Sequence, residues 1–108
     1  MLNQVVLVGR LADDPTIKEF KDGKKEAFVT LAVQRTFKNA EGVYDTDFIK
    51  CTLWNGVATS TTEYCHKGDI VGIKGRLQVS SYEDKDGEKK YITEVIAEKV
   101  TFLSSKAE

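Results

Sequence analysis

Phe48, Lys50 and Trp54 lie at even spacings in the stretch "DFIKCTLWNG", residues Asp47–Gly56. In an extended strand, successive side chains point to opposite faces. Ile49, Cys51 and Leu53 then share an apolar face, and Phe48, Lys50, Thr52 and Trp54 share the other. Flat rings around an ammonium group suit one kind of chemistry: the rings stack on planar ligands while the cation meets an anionic backbone. The alternative is a small second core under a loop or a subunit contact, because exposed apolar patches also mark partner sites. A lysine between the rings weighs against burial, since a buried ammonium needs a partner.

A second set comes from "DIVGIKGRLQVSSY", Asp69–Tyr82. Alternation sends Val71, Ile73, Leu77 and Val79 inward and Lys74, Arg76, Gln78 and Tyr82 outward. Joined to the first set, these form a basic surface interleaved with aromatics. Such a surface binds single strands without reading their sequence, because every base has a π-face. Arg10 and Arg35 add positive charge near that groove. Phe28 shares the outward parity of Thr30 and Ala32, with packing against a neighbouring subunit as its other reading. Phe37 has the inward parity of Val33 but lies at a strand end, where alternation often fails. Tyr44 reads as a loop anchor. His66, beside Lys67, is either a phosphate contact or a solvated helix end.

Reaction chemistry is missing from the pattern. There is no phosphate loop and no second histidine, and Asp13, Asp14, Asp45 and Asp47 fall at turns and strand flanks, where carboxylates cap backbone. The requirements of an active site are not met, so no enzyme and no cofactor are expected. Cys51, Cys65 and His66 match no zinc spacing. Cys51 falls on the apolar side of its strand, and both cysteines are expected as buried thiols rather than a disulfide.

The elements that must position these residues read almost entirely as strands. The chain has 108 residues, 41% hydrophobic and 31% charged, the composition of one globular domain. A domain of that size buries roughly 65% of its unfolded surface, enough for a core without staples. Sixteen basic against seventeen acidic residues leave a net charge of −1. A polyanion binder with that balance has to gather its positive charge on one surface. No apolar run approaches the ~20 residues of a membrane span, and the start "MLNQVVLVGRL" has no basic lead or cleavage site. A cytoplasmic protein without membrane contact is expected.

"NQVVLVGRL" (Asn3–Leu11) carries Val5, Leu7 and Leu11 on one face and Val6 and Val8 on the other, the pattern of a strand buried from both sides. Ile17–Phe20 forms a short edge piece before the turn "KDGK". "AFVTLAVQR" turns Val29, Leu31 and Val33 to the core, and "KNAEG" is a loop. "VATSTTEYCH" predicts a short helix stopped by "KGD", with Gly68 at the left-handed cap. "EDKDGEKK" holds an Asp-Gly hairpin signal, with charged flanks that suggest a longer, mobile loop. "YITEVIAEKVTFL" is the last strand. Five principal strands with one helix between the third and fourth predict an all-β fold. It is the five-stranded Greek-key oligonucleotide/oligosaccharide-binding barrel, in preference to an SH3-like barrel.

The segments "MLNQVVLVGRLADDP", "VTLAVQRTFKN", "DFIKCTLWN" and "KGDIVGIKGRLQVSSYEDKDGEKKYITEV" together resemble the bacterial single-stranded DNA-binding protein family, from Met1 to about Leu103. The resemblance implies such a barrel over residues 1–103, assembled as a homotetramer that wraps single-stranded DNA in replication, repair or recombination. It places the family's four stacking aromatics at Phe37, Phe48, Trp54 and Tyr82, with Phe37 entering on the resemblance alone. Lys50 and Lys67 fall at phosphate-contacting positions. Two departures stand out. Ser80 and Ser81 replace basic residues common before the last aromatic, which suggests weaker or more mode-restricted binding by that hairpin. Residues 104–108 lack the linker and acidic tip of housekeeping members, so the enzymes that read that tip are not expected as partners. The rivals are a dimeric primosomal restart protein on the same fold, a protein-interaction module with no DNA role, and an RNA chaperone.

Overall fold

Three chain reversals use one turn. Phe20–Lys24, Asn39–Val43 and Asp84–Glu88 each set glycine fourth, and Gly23, Gly42 and Gly87 adopt φ of 88°, 81° and 78°. In each, the first residue's N–H donates to the last residue's carbonyl, at 2.8, 2.8 and 2.9 Å. Side-chain oxygens of Asp22, Asn39 and Asp84 accept further backbone N–H groups inside the turns. This is the three-residue hairpin loop, whose last position demands a left-handed conformation. The longer, mobile loop expected at Glu83–Lys90 is therefore a tight turn, because Asp84 satisfies its backbone internally.

The structure, a computed structural model, describes residues 1–105. Most of the segment expected to lack an acidic tip, residues 106–108, lies outside the described residues. The strands are β1 (Val5–Leu11), β2 (Thr16–Glu19), β3 (Lys25–Lys38), β4 (Tyr44–Trp54), β5 (Ile70–Glu83) and β6 (Lys89–Ser104); helix α1 spans Asn55–Tyr64. Their order is β1-β5-β6-β4-β3-β2, and β1 also pairs with β3 through Arg10↔Ala32 and Leu11↔Leu31, closing the sheet on itself. β4 and β6 run parallel over Cys51↔Val95, Thr52↔Ile96 and Leu53↔Ala97, and the other pairs are antiparallel. With β2 a side piece on β3, five strands close a barrel. The only helix among the described residues lies between the third and fourth barrel strands. This is the oligonucleotide/oligosaccharide-binding fold.

The inward parity fills the barrel: Leu11, Val29, Leu31, Cys51, Leu53, Val71, Ile73 and Val95 form one cluster, which Ala58 of α1 joins. Thr59 and Thr62 of that helix donate their hydroxyls to the carbonyls of Asn55 and Ala58, which ties up side chains that otherwise compete with the helix. Both cysteines are free and buried. Burial pushes the Cys51 thiol up to about 11, and burial with the nearby Asp69 carboxylate raises that of Cys65. No helix among the described residues is long and apolar enough to cross a membrane.

Three expectations need correction. Gly68 has φ 93° but does not cap α1, which ends with Cys65 in extended conformation; Gly68 instead shapes the turn closed by Asp69 N–H to the His66 carbonyl. Leu77 and Val79 keep the parity of Ile73 but are 45% and 61% exposed. Past Gly75 the β5–β6 pair leaves the barrel as a two-stranded arm, and nothing among the described residues covers that face. Val6 and Val8 are 66% and 55% exposed, so the second apolar face of β1 is not buried within one chain.

The barrel holds two close backbone approaches: a Cβ on Gly9 of β1 would strike the carbonyl oxygen of Ala32 on β3, and the second lies between β5 and β6. A Cβ on Gly75 of β5 would strike the carbonyl oxygen of Ile96 on β6. Gly75→Ala is expected to cost about 1–3 kcal/mol through forced backbone displacement. A thermal melt followed by circular dichroism should show Tm lowered by roughly 4–8 °C per kcal/mol. An unchanged Tm would mean that the β5–β6 spacing is not under steric control.

Candidate nucleic-acid interface

Paired residues in a sheet share a face, so register extends one surface across strands. In β3–β4 the pairs are Ala32↔Phe48, Thr30↔Lys50, Phe28↔Thr52 and Glu26↔Trp54. Thr52 pairs with Ile96 of β6 and Ile96 with Arg76 of β5. Along the β5–β6 arm follow Gln78↔Glu94, Ser80↔Ile92 and Tyr82↔Lys90. Phe48, Lys50, Trp54, Arg76 and Tyr82 therefore lie on one outer face, which runs from the β2 edge to the arm tip. Phe48 and Tyr82 are well exposed, and Trp54 is partly covered by Phe20.

Lys50 is held by a ring that parity placed outward but did not partner with it. Its Nζ lies 4.2 Å from the centroid of Phe28, a cation–π contact. The exposed ammonium is thereby engaged by a ring face and not by a carboxylate. Behind it, the buried Thr52 donates its hydroxyl to Glu94 Oε2 at 3.0 Å, so this carboxylate is already engaged.

The six expected cations separate. Lys50, Lys74 and Arg76 are on the outer face. Arg76 donates to Gln78 Oε1 at 3.0 Å and lies 4.0 Å from Glu98. Lys67 sits in the turn after α1 with its side chain exposed, and its backbone N–H donates to Asp14 Oδ1. Arg10 turns its Nη1 to the Gly68 carbonyl at 2.8 Å, tying β1 to the turn before β5. Arg35 has the parity of Val33, opposite to Phe48. It forks onto Asp47 at 2.9 and 3.1 Å and reaches Asp45 at 3.6 Å. Charge alone suggested Arg10 and Arg35 as groove cations; the structure gives both to protein acceptors.

Phe37 is exposed on the β3–β4 arm, where the register shifts between Gln34 and Lys38. The extra residues of β3 there reset the alternation, so neither parity from Val33 nor register from Phe48 settles its direction. Parity from Phe48 leads instead to Tyr44, whose ring carries Lys38 Nζ at 5.7 Å. Phe20 read only as the end of an edge piece, not as part of this face. It follows β2 in the first turn, and only tertiary packing brings its ring 6.5 Å from that of Trp54.

A closed barrel of this type, with one outer face of separated rings and cations and two projecting arms, is the architecture of single-strand nucleic-acid binders. The family model described as "Single-strand binding protein family" matches residues 2–103. The chain belongs to the single-strand binding protein family. It is 49% identical over 106 residues to single-stranded DNA-binding protein B of Bacillus subtilis (strain 168), covering 98% of this chain and 94% of that protein. It is 45% identical over 106 residues to single-stranded DNA-binding protein 3 of Listeria innocua serovar 6a, covering 98% and 66%. With the single-stranded DNA-binding protein of Bacillus cereus the identity is 46% over 103 residues, 95% and 61% of the two chains. The chain thus spans nearly all of the first relative and less than two thirds of the other two.

The Arg35 hydrogen bond holds the Asp47 carboxyl below the usual carboxylate range, and Arg35 is raised in return. A depressed carboxyl stabilises the fold above its unfolded value and loses that contribution as pH falls through its folded value. The pair should therefore persist from neutral pH down through the ordinary value of about 3.9 and break only below it. An NMR titration of the Asp47 carboxyl checks this. Arg35→Ala is expected to move its midpoint upward, and no movement would mean that the fork does not form in solution.

Proposed function

We propose that this protein binds and protects single-stranded DNA without reading its sequence, as a binding protein rather than an enzyme. The observation that carries the reading is the shared outer face of Phe48, Trp54 and Tyr82 with Lys50, Lys74 and Arg76 between them. Bases stack on the rings, and the cations meet phosphates. Phe48 and Trp54 are six residues apart on one strand, about 20 Å at the usual rise, so one strand of DNA can engage both at separate bases. Phe37 joins them at the tip of the β3–β4 arm on the strength of the family resemblance. The names of the three relatives agree with this assignment. Replication, repair and recombination are the settings in which single strands need such cover.

The working form is a homo-oligomer, a tetramer by family resemblance. Val5–Val8 pair with β5 on one side only, and Val6 and Val8 add exposed apolar surface beside that open edge. Leu77, Val79 and Tyr91 do the same along the β5–β6 arm. Unpaired strand edges flanked by apolar side chains are places where a second chain adds on.

Trp54 is the only tryptophan of the chain, so its emission reports one site. Thymine oligomers should quench it strongly, and Trp54→Ala should cost about 1–3 kcal/mol of binding. Lys50→Ala should flatten the salt dependence of binding by roughly 0.7 in slope, the share of one phosphate contact. Arg35→Ala, already committed to Asp47, should leave that slope nearly unchanged. If saturating DNA left the emission untouched while Trp54→Ala broke the oligomer, the face would be an assembly surface.

Light scattering at micromolar concentration should give a multiple of the 12.1 kDa chain. A single-chain mass would refute assembly, and a dimer would favour the restart-protein rival.

A further inference from the structure

We propose that the β2–β3 hairpin adds a base-docking site to this face: a nucleobase of the bound strand settles in the cleft between Phe20 and Trp54. The inference rests on the single-strand reading of the outer face and extends the path beyond Trp54 onto an element with no stacking residue assigned to it.

Phe20 follows Glu19, the last residue of β2, and opens the turn to β3. Its ring and that of Trp54 are 6.5 Å apart between centroids and inclined by 29°. Aromatic pairs in contact span 4.5–7 Å, so this pair is at the loose end of the range. Both residues remain 37% exposed. A tightly closed pair would have spent its ring faces on each other; this one keeps ring surface open to solvent.

The two rings line an open cleft of about 540 Å³, completed by Lys21, Asp22 and Lys24. Its chemistry is that of a nucleotide site: flat apolar walls with cations at the rim. Lys18 contributes a third ammonium, 5.0 Å from the Phe20 centroid. Asp22 is committed to its turn, where its Oδ1 accepts the Lys24 N–H at 3.1 Å. A ligand with a planar ring and an anionic tether satisfies both the walls and the rim. The cleft is also continuous with the outer face through Trp54, so a strand stacked on Phe48 and Trp54 needs no change of direction to reach it. The occupant is therefore the next base of that strand.

The test uses Phe20→Leu, which keeps an apolar side chain in the turn but removes the π-face, and Phe20→Tyr, which keeps both. Binding of thymine oligomers by the full protein is measured for each, with Trp54→Ala and Phe20→Leu/Trp54→Ala alongside. Phe20→Leu is expected to weaken binding roughly 5- to 150-fold, the range of one base–aromatic stack, with Tm and oligomer mass unchanged. Phe20→Tyr should bind as wild type. The double variant should lose less than the product of the two single losses, because both rings hold the same base. If Phe20→Leu binds as wild type while Trp54→Ala is weakened, the docking site is overturned and the wider reading stands. If Phe20→Leu shifts the oligomer mass and leaves DNA binding intact, the cleft is a subunit contact and the proposal fails. If the wild-type protein does not bind the oligomer at all, the single-strand reading itself falls.

Discussion

Three register pairs between β4 and β6, Cys51↔Val95, Thr52↔Ile96 and Leu53↔Ala97, join the two halves of this barrel. On one side of that join lies the β3–β4 hairpin with Phe48, Lys50 and Trp54. On the other lies the β5–β6 arm with Arg76 and Tyr82. Without the parallel contact the two ribbons would be joined only through β1, which pairs with both β3 and β5, and their outer faces would not meet. With it, the inward parities of both halves merge into one core and the outward parities into one face. Thr52 marks the seam: its neighbours Cys51 and Leu53 are fully buried in the barrel, and its own hydroxyl reaches Glu94 across the outer surface.

That face solves a charge problem. A chain with net charge −1 has no global attraction for a polyanion, so its cations must be sorted locally. Sorting here works through engagement as much as position. Arg35 is neutralised by Asp47 and Asp45 on the other side of the sheet, and Arg10 is spent on a backbone carbonyl. Lys50 is held by the quadrupole of Phe28, which fixes the ammonium without cancelling its charge. The same residue types thus serve the fold in one place and stay available to a phosphate in another. Exposed ion pairs such as Arg35–Asp47 add little stability alone. Their effect here is to occupy a strong cation on the face opposite Phe48.

Apolar surface is divided in a similar way. Phe48, Trp54 and Tyr82 share their face with Lys50 and Arg76. Val6 and Val8 lie on the outward side of β1 beside its unpaired edge, where Val6 pairs with Lys74, while Leu77 and Val79 lie where the bare arm continues the inward pattern past the end of the core. Rings among cations suit a charged aromatic polymer; branched aliphatics beside an open strand edge suit another polypeptide.

Much of this was legible in the residues. Period-two alternation put Ile49, Cys51 and Leu53 in the core and Phe48, Lys50 and Trp54 outside, because facing is set by the backbone of one strand. The turns are equally local, since glycine fourth with an Asx oxygen closing the loop needs nothing beyond five consecutive residues, although the charged flanks of Glu83–Lys90 read as a longer loop. Parity, however, states a direction and not what lies in that direction. Leu77 and Val79 point as expected yet meet no core, since only the assembled barrel decides where its cover ends. Arg35 is basic in any reading, and only the register of β3 against β4 set Asp47 beside it. Phe20 and Trp54 are 34 positions apart (54 less 20) in the chain, and no local pattern links them. The sequence by itself determined the strands, the glycine-closed turns and the outward rings of the central strand. The tertiary structure alone decided which cations remain free, which apolar faces remain bare and which distant ring closes the cleft, because each of these depends on a neighbour supplied by another strand.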